Sequence, residues 1–447
     1  MTNSNRTQSN GSRRSAAFFM CVISCLTLLT ATSTTLAQSR SRQPRHTSSK
    51  IIIINNTGEV SLSQPRVHVQ IRKDGHILEG EGVTIPGLDL IVEEDHQQSF
   101  SAFLDTGAGA FVISQSTAKR FGIETDPDSV YIDVGLKGET AMHISKPYEI
   151  ALGNTTGMLE DQPANFFPVQ TDARMELNPA NLNMVQELIG SIDVIGMPAI
   201  RQFVVELDLT PLLLSDSSKN KNDTIDPNAP DALEKLLDRA SDNLPIGPAV
   251  QLHPRNTRIR NADLIIPLTL QNFNQTHHPK NRGALPSLAQ NPMIIGIISE
   301  NNKNQYKGDW LLDTGAAASI ISTAQAQALG LFDDQGNPKI KPAFTLPLAG
   351  ISGRAESAPG FIIDKIQIKT NRHRILEFRN VHIVVKDISI TTPDGKFITL
   401  DGVFGMNLLF PSVSGMGGGL PTGFAKPPFK KIWIDTPHRQ LALELNQ

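Results

Sequence analysis

Short apolar runs and alternating apolar-polar runs dominate the chain. Lys50-Ile51-Ile52-Ile53-Ile54 and Arg66-Val67-His68-Val69-Gln70-Ile71 have the length and β-branched content of strands. Gly, Asn, Asp and Pro turns separate such runs as far as about Leu214. The pattern then breaks. Residues 215–230, SDSSKNKNDTIDPNAP, are polar and turn-rich. Asp231 to Ala240 has the spacing of one short helix, and a Pro-containing stretch continues to about Asn256. The segment 215–256 therefore reads as a linker between two β-rich segments, 51–214 and 257–447. The second closes on Lys430-Lys431-Ile432-Trp433-Ile434-Asp435 and Gln440-Leu441-Ala442-Leu443-Glu444-Leu445, the pattern of a hairpin that seals a core. With 33 Gly, 29 Pro and few runs of helix-forming residues, a mainly β fold follows.

The first 37 residues have a different character. Arg6, Arg13 and Arg14 precede a nearly all-apolar stretch from Ala16 to Leu29, and Thr35-Leu36-Ala37 supplies small residues for cleavage. That is the pattern of a signal peptide, and it places the rest of the chain outside the cytoplasm, periplasmic or secreted. Val22-Ile23-Ser24-Cys25 also resembles a bacterial lipoprotein box, so membrane association is expected only if this segment is retained or lipidated at Cys25. Residues 38–50 lack apolar content and read as a flexible polar tether. Both cysteines, Cys21 and Cys25, fall in the apolar stretch. The exported part would hold no disulfide and must rely on core packing.

Composition narrows the function. The hydrophobic fraction is 39% and the charged fraction 19%, which excludes a disordered chain. The formal net charge is -3, and the residues after position 50 carry 34 basic against 44 acidic groups. This balance argues against a nucleic-acid partner. His277-His278 has no partner at a metal-ligand interval, and no metal or cofactor is expected.

Self-comparison supplies the strongest signal. Residues 104–122, LDTGAGAFVISQSTAKRFG, align without gaps on 312–330, LDTGAAASIISTAQAQALG, with ten of 19 positions identical. A second pair of landmarks, Asp193-Val194-Ile195-Gly196-Met197 and Gly402-Val403-Phe404-Gly405-Met406, places its glycines 91 and 92 residues after Asp105 and Asp313. The chain is a tandem of two lobes, 51–214 and 257–447. In each, an apolar strand ends in Asp-Thr-Gly, where Gly permits a tight turn and short polar side chains can bond the local main chain. Ser114 and Ser322 then read as helix N-caps, with Gly122 and Gly330 as stops.

One Asp-Thr-Gly carries little information; two in matched contexts carry much. The duplicated pattern of two apolar residues, Asp-Thr-Gly-Ala and a later apolar-apolar-Gly resembles the aspartic proteases, both the pepsin-like and the retropepsin-like families. The resemblance implies an all-β, bilobal, pseudo-twofold fold with two six-stranded-type, barrel-like lobes and short helices. It implies that Asp105 and Asp313 meet as a catalytic pair, and that Thr106 and Thr314 bond across the twofold. Gly107 and Gly315 would support the turns, while Gly196 and Gly405 would pack beneath the loops. Like charges in contact raise one pKa, so such a pair shares a proton and can activate water without a covalent intermediate.

Gly135-Leu136-Lys137-Gly138 and Gly350-Ile351-Ser352-Gly353 resemble substrate-clamping flap tips. Their offset exceeds that of the Asp-Thr-Gly motifs by seven residues, which Asp333 to Pro338 could supply. Tyr131 and Tyr148 lie in the region where pepsin-like enzymes carry a flap tyrosine, without a clear motif. Ala108 and Ala316 stand where pepsin-like enzymes usually carry a hydroxyl residue, which implies a less acidic working range. The expected function is an exported aspartic endopeptidase acting on polypeptides. The alternative is a catalytically silent peptide-binding module on the same scaffold.

Overall fold

The computed structural model describes residues 50–55, 58–61, 64–81, 84–85, 90–91, 97–135, 138–157, 163, 165–178, 193–211, 247–273, 290–350, 353–391, 396–410, 412–413, 423–424 and 427–446. The signal-peptide and tether expectations, Cys25, His277-His278 and most of the expected linker with its short helix lie outside these residues.

The molecule is all-β with two matching halves. In the first, the sheet runs through Arg66–Lys73, Phe100–Leu104, Val194–Ile195, Phe111–Ser114, Glu176–Asn178, Gly138–Ser145 and Thr125–Gly135. In the second, the same positions are taken in the same order by Gln290–Asn301, Asn304–Leu312, Gly402–Phe404, Ile320–Ile321, Ile375–Val385, Gly353–Lys369 and Phe344–Gly350. Parallel pairing recurs at matched places, Ile195 with Leu104 and Phe404 with Leu312. The halves differ where Pro147 lies between Gly138–Ser145 and Tyr148–Gly153. The second half has one continuous 17-residue strand at that place, Gly353–Lys369.

The sheets, of ten and thirteen strands, are larger than six-stranded units because the second continues into strands joining the halves. Phe203–Asp208 pairs antiparallel with both Ala249–Pro254 and Phe429–Asp435, and the latter forms a hairpin with Gln440–Leu445. Two sequence boundaries shift accordingly. Ala249–Pro254 falls in the expected linker 215–256 but is a strand, because Ala249, Val250 and Leu252 bury their side chains. Ile51–Asn55, read as the start of the first lobe, pairs in parallel with Ile375–Arg379 of the second. A run of four isoleucines specifies a strand but not its partner.

One hydrophobic cluster spans the molecule, including Leu104, Ile195, Val205, Leu312, Phe404 and Ile432, all fully buried. Each such side chain contributes roughly 1.5–3 kcal/mol through burial. The core thus encloses the strand ends that carry Asp105 and Asp313.

Candidate active site

Each aspartate stands where a core strand stops. The N–H groups of Asp105 and Asp313 still donate to the neighbouring strand, to Ile195 O at 3.0 Å and Phe404 O at 3.1 Å. Beyond that anchor the chain turns onto its own carboxylate. Asp105 Oδ1 accepts from Gly107 N at 2.7 Å and Ala108 N at 3.2 Å. Asp313 Oδ1 accepts from Gly315 N at 2.9 Å and Ala316 N at 3.0 Å. Aspartate suits this closure because its short side chain reaches backbone two and three residues ahead.

The two turns lock onto each other through their threonines, both fully buried. Thr106 N donates to Thr314 Oγ1 and Thr314 N to Thr106 Oγ1, each at 3.1 Å. Thr106 Oγ1 donates to Leu312 O at 2.6 Å, and Thr314 Oγ1 to Leu104 O. Every hydroxyl donates once and accepts once, which satisfies polar groups that water cannot reach.

This grip brings the carboxyls of Asp105 and Asp313 into mutual hydrogen-bond contact. A Cβ on Gly107 would lie 2.6 Å from Asp313 Cγ, and one on Gly315 would lie 2.4 Å from Asp105 Cγ. Glycine is required at both places by this approach. Gly196 and Gly405 serve the layer behind, where an added Cβ would stand 2.3 Å from Ala110 O and 2.4 Å from Ala318 O. The N–H of Met197 donates to Ala108 O and that of Met406 to Ala316 O, at 3.0 and 2.9 Å. The Ser114 and Ser322 side chains cap the helices Gln115–Arg120 and Thr323–Ala328, and Gly122 and Gly330 follow with φ of 61° and 75°.

Identical residues are not electrostatically equal here. Desolvation raises the Asp105 pKa above the ordinary aspartate value, against hydrogen bonds from Asp313 and the backbone that lower it. Asp313 is raised much further, by desolvation first and then by the charge and hydrogen bond of Asp105. The pair therefore holds a proton above the ordinary aspartate range.

Gly135 faces Gly138, and Gly350 faces Gly353, as the last paired residues of two hairpins. Residues 136–137 and 351–352, the expected flap tips, lie outside the described residues. The first hairpin packs its base on the loop after Asp105: Met142 clusters with Ala108, and Tyr131 and Ile144 with Ala110. In the second, Leu348 and Ala358 cluster with Ala317, Ala318 and Val60. Tyr131 and Tyr148 are both buried, and the Tyr148 hydroxyl accepts from Glu124 N at 2.7 Å. The seven extra residues of the second half fall between Gly330 and Gly350, where Asp333 Oδ1 accepts from Gln335 N and Asn337 N.

Two residues that sequence reasoning missed touch these loops from the opposite half. Asn291 Nδ2 donates to Thr106 O and Gly107 O, both at 2.9 Å. Gln64 Nε2 donates to Gly315 O at 3.0 Å. The available signal was an amide residue followed by Pro at or just before the start of a strand, Gln64-Pro65 and Asn291-Pro292, but it lies outside the aligned 19-residue repeat.

Comparison with known proteins gives a partial match. No curated protein matches the chain. A solved retropepsin-like aspartic protease from Rickettsia conorii is 19% identical, covering 42% of this chain and 96% of its own, with a TM-score of 0.21. Basic 7S globulin from soybean is 10% identical, covering 86% of this chain and 96% of its own, with a TM-score of 0.28. Residues 300–408, which include Asp313 and Gly405, match the family model described as aspartyl protease.

Proposed function

We propose that this chain is an exported aspartic endopeptidase that hydrolyses polypeptides with water held between Asp105 and Asp313. The observation that carries the reading is the contact between these two carboxyls on turns locked by reciprocal threonine bonds. With Asp105 as the ionised member, its carboxylate takes a proton from the water as the water oxygen attacks the peptide carbonyl carbon. Protonated Asp313 passes its proton to the carbonyl oxygen, giving a neutral gem-diol. Asp105 then protonates the leaving nitrogen while a diol hydroxyl returns its proton to Asp313, so the carbon–nitrogen bond breaks and the starting protonation states are restored. No cofactor or metal takes part in these steps.

Ala108 and Ala316 offer the carboxylates backbone N–H groups but no side-chain hydroxyl. One charge-favouring hydrogen bond fewer sets a working range less acidic than that of a pepsin-like enzyme. In this reading the glycine-paired hairpins ending at Gly135/Gly138 and Gly350/Gly353 act as the clamps on an extended substrate. Residues 1–37 direct export, and N-terminal sequencing of the exported chain should begin at Gln38.

The test is peptide-library cleavage by the purified chain across about pH 3 to 8, with Asp105→Asn, Asp313→Asn and pepstatin alongside. Each single variant and the inhibitor should abolish cleavage. Cleavage retained in either variant would refute the shared pair. A wild type silent at every pH, including after limited proteolysis, would favour the peptide-binding module.

A further inference from the structure

The amides of Asn291 and Gln64 do more than bridge the halves, because of which peptides they touch. Asn291 donates to the carbonyls of Thr106 and Gly107. Those carbonyls belong to the peptide units whose N–H groups, on Gly107 and Ala108, donate to Asp105 Oδ1. Gln64 donates to the carbonyl of Gly315, whose peptide unit presents the Ala316 N–H to Asp313 Oδ1. Each amide is thus the outer link of a chain that runs from side-chain N–H through a peptide to a catalytic carboxylate. Hydrogen bonds in series polarise one another, so the outer donor strengthens the inner one.

The two chains are unequal. Asn291 is 1% exposed and feeds both peptides on the Asp105 side. Gln64 is only partly buried and feeds one of the two on the Asp313 side. We propose that Asn291 and Gln64 are positioning residues that polarise, from the opposite half, the peptides hydrogen-bonded to Asp105 and Asp313, and that their inequality makes Asp105 the charged member of the pair. The inference rests on the peptidase reading above and names what assigns the acid and base roles within it.

Other titratable groups on the packed strands have partners of their own. In the first half, Asp193 accepts from Ser114 N and Thr117 Oγ1 and attracts the desolvated guanidinium of Arg66. In the second, Asp401 accepts from the Tyr306 hydroxyl and Asp309 N, and Asp309 accepts from Gly296 N. The carboxyls of Asp105 and Asp313 act chiefly on each other.

The test is a carbon-13 NMR titration of the aspartate carboxyls in the full chain, which needs no turnover, with Asp105→Asn and Asp313→Asn used for assignment. Asn291→Leu should raise the lower apparent pKa of the pair by about half a pH unit, by weakening the donors to Asp105. Gln64→Leu should leave the lower value in place and raise the upper one by less. Asn291→Ser, which keeps one donor, should fall between wild type and Asn291→Leu. A loss of thermal stability with both pKa values unmoved would reduce these amides to simple braces and overturn the inference alone. Should Asn291→Leu fail to fold, Asn291→Ser and Gln64→Leu decide it on the same criterion. Independent titration of the two carboxyls in the wild type would overturn the peptidase reading together with it.

Discussion

The two active-site turns close on their own carboxylates with matching bonds and diverge in the layer behind them. Both aspartates take two N–H groups from their own turn, Asp105 also draws on the Gly315 N–H, and both threonines donate to a core strand of the other half. Behind them, one turn is held by a buried asparagine with two bonds and the other by a partly exposed glutamine with one. Duplication brings two equal carboxyls together, and equal carboxyls give no preferred base. The difference in outer support can break that tie without disturbing the symmetric grip.

Crowding the carboxyls has the largest expected effect. Gly107→Ala and Gly315→Ala each place a methyl within 2.6 Å of the opposite aspartate, so something must shift in either half. We expect kcat/KM to fall on the order of a hundredfold in both, since misplacement of about 1 Å costs that much. Normal turnover in one variant would show that its half does not face the other as described.

The threonine grip should fail symmetrically. Thr106→Val and Thr314→Val each remove a hydroxyl donor and strip the partner N–H of its acceptor, at about 2–4 kcal/mol for two buried bonds. Denaturant midpoints should drop alike in the two variants and recover in Thr→Ser. A loss confined to one would reveal a hierarchy between the halves.

Smaller effects separate the site from the seam that joins the halves. The folded chain holds the Asp105 and Asp313 protons above the unfolded aspartate value of about 4, so the native state binds more protons from there upward. Stability should therefore decline as pH rises from about 4 through the raised values, and Asp313→Asn should flatten that decline. Glu206 has the opposite sign. Hydrogen bonds from His253, then Lys431 and Trp433, hold it down to about 2 from an ordinary 4.5, so its contribution is complete above 4.5 and lost as pH falls toward 2. Glu206→Gln should remove that acid-side loss and leave the decline above pH 4 in place, as urea midpoints across pH 2 to 7 would show. An unchanged slope in Asp313→Asn would contradict the raised values.

Much of this arrangement was legible in the chain because its signals are local. The Asp-Thr-Gly turns, the Ser114 and Ser322 caps and the Gly122 and Gly330 stops each specify conformation within a few residues. Gly196 and Gly405 emerged because the duplication repeats their spacing. What stayed hidden depends on contacts between distant segments. Gln64 meets Gly315 across 251 positions and Asn291 meets Thr106 across 185. An amide beside a proline does not announce such a partner. Ile51–Asn55 was legible as a strand, yet its place on the second sheet follows from where the following chain enters, with Ser61 N donating to Ala317 O at 2.7 Å. Ala249–Pro254 was masked by flanking prolines that bound the strand without interrupting its ladder.

Whether Asp105 and Asp313 form one coupled acid–base pair is decided by titration of their labelled carboxyls in the wild-type chain. Coupling gives two separated apparent pKa values belonging to the pair, the upper well above the ordinary aspartate range, with either Asp→Asn substitution leaving a single titration. Two carboxyls titrating together near pH 4, each indifferent to replacement of the other, would contradict it.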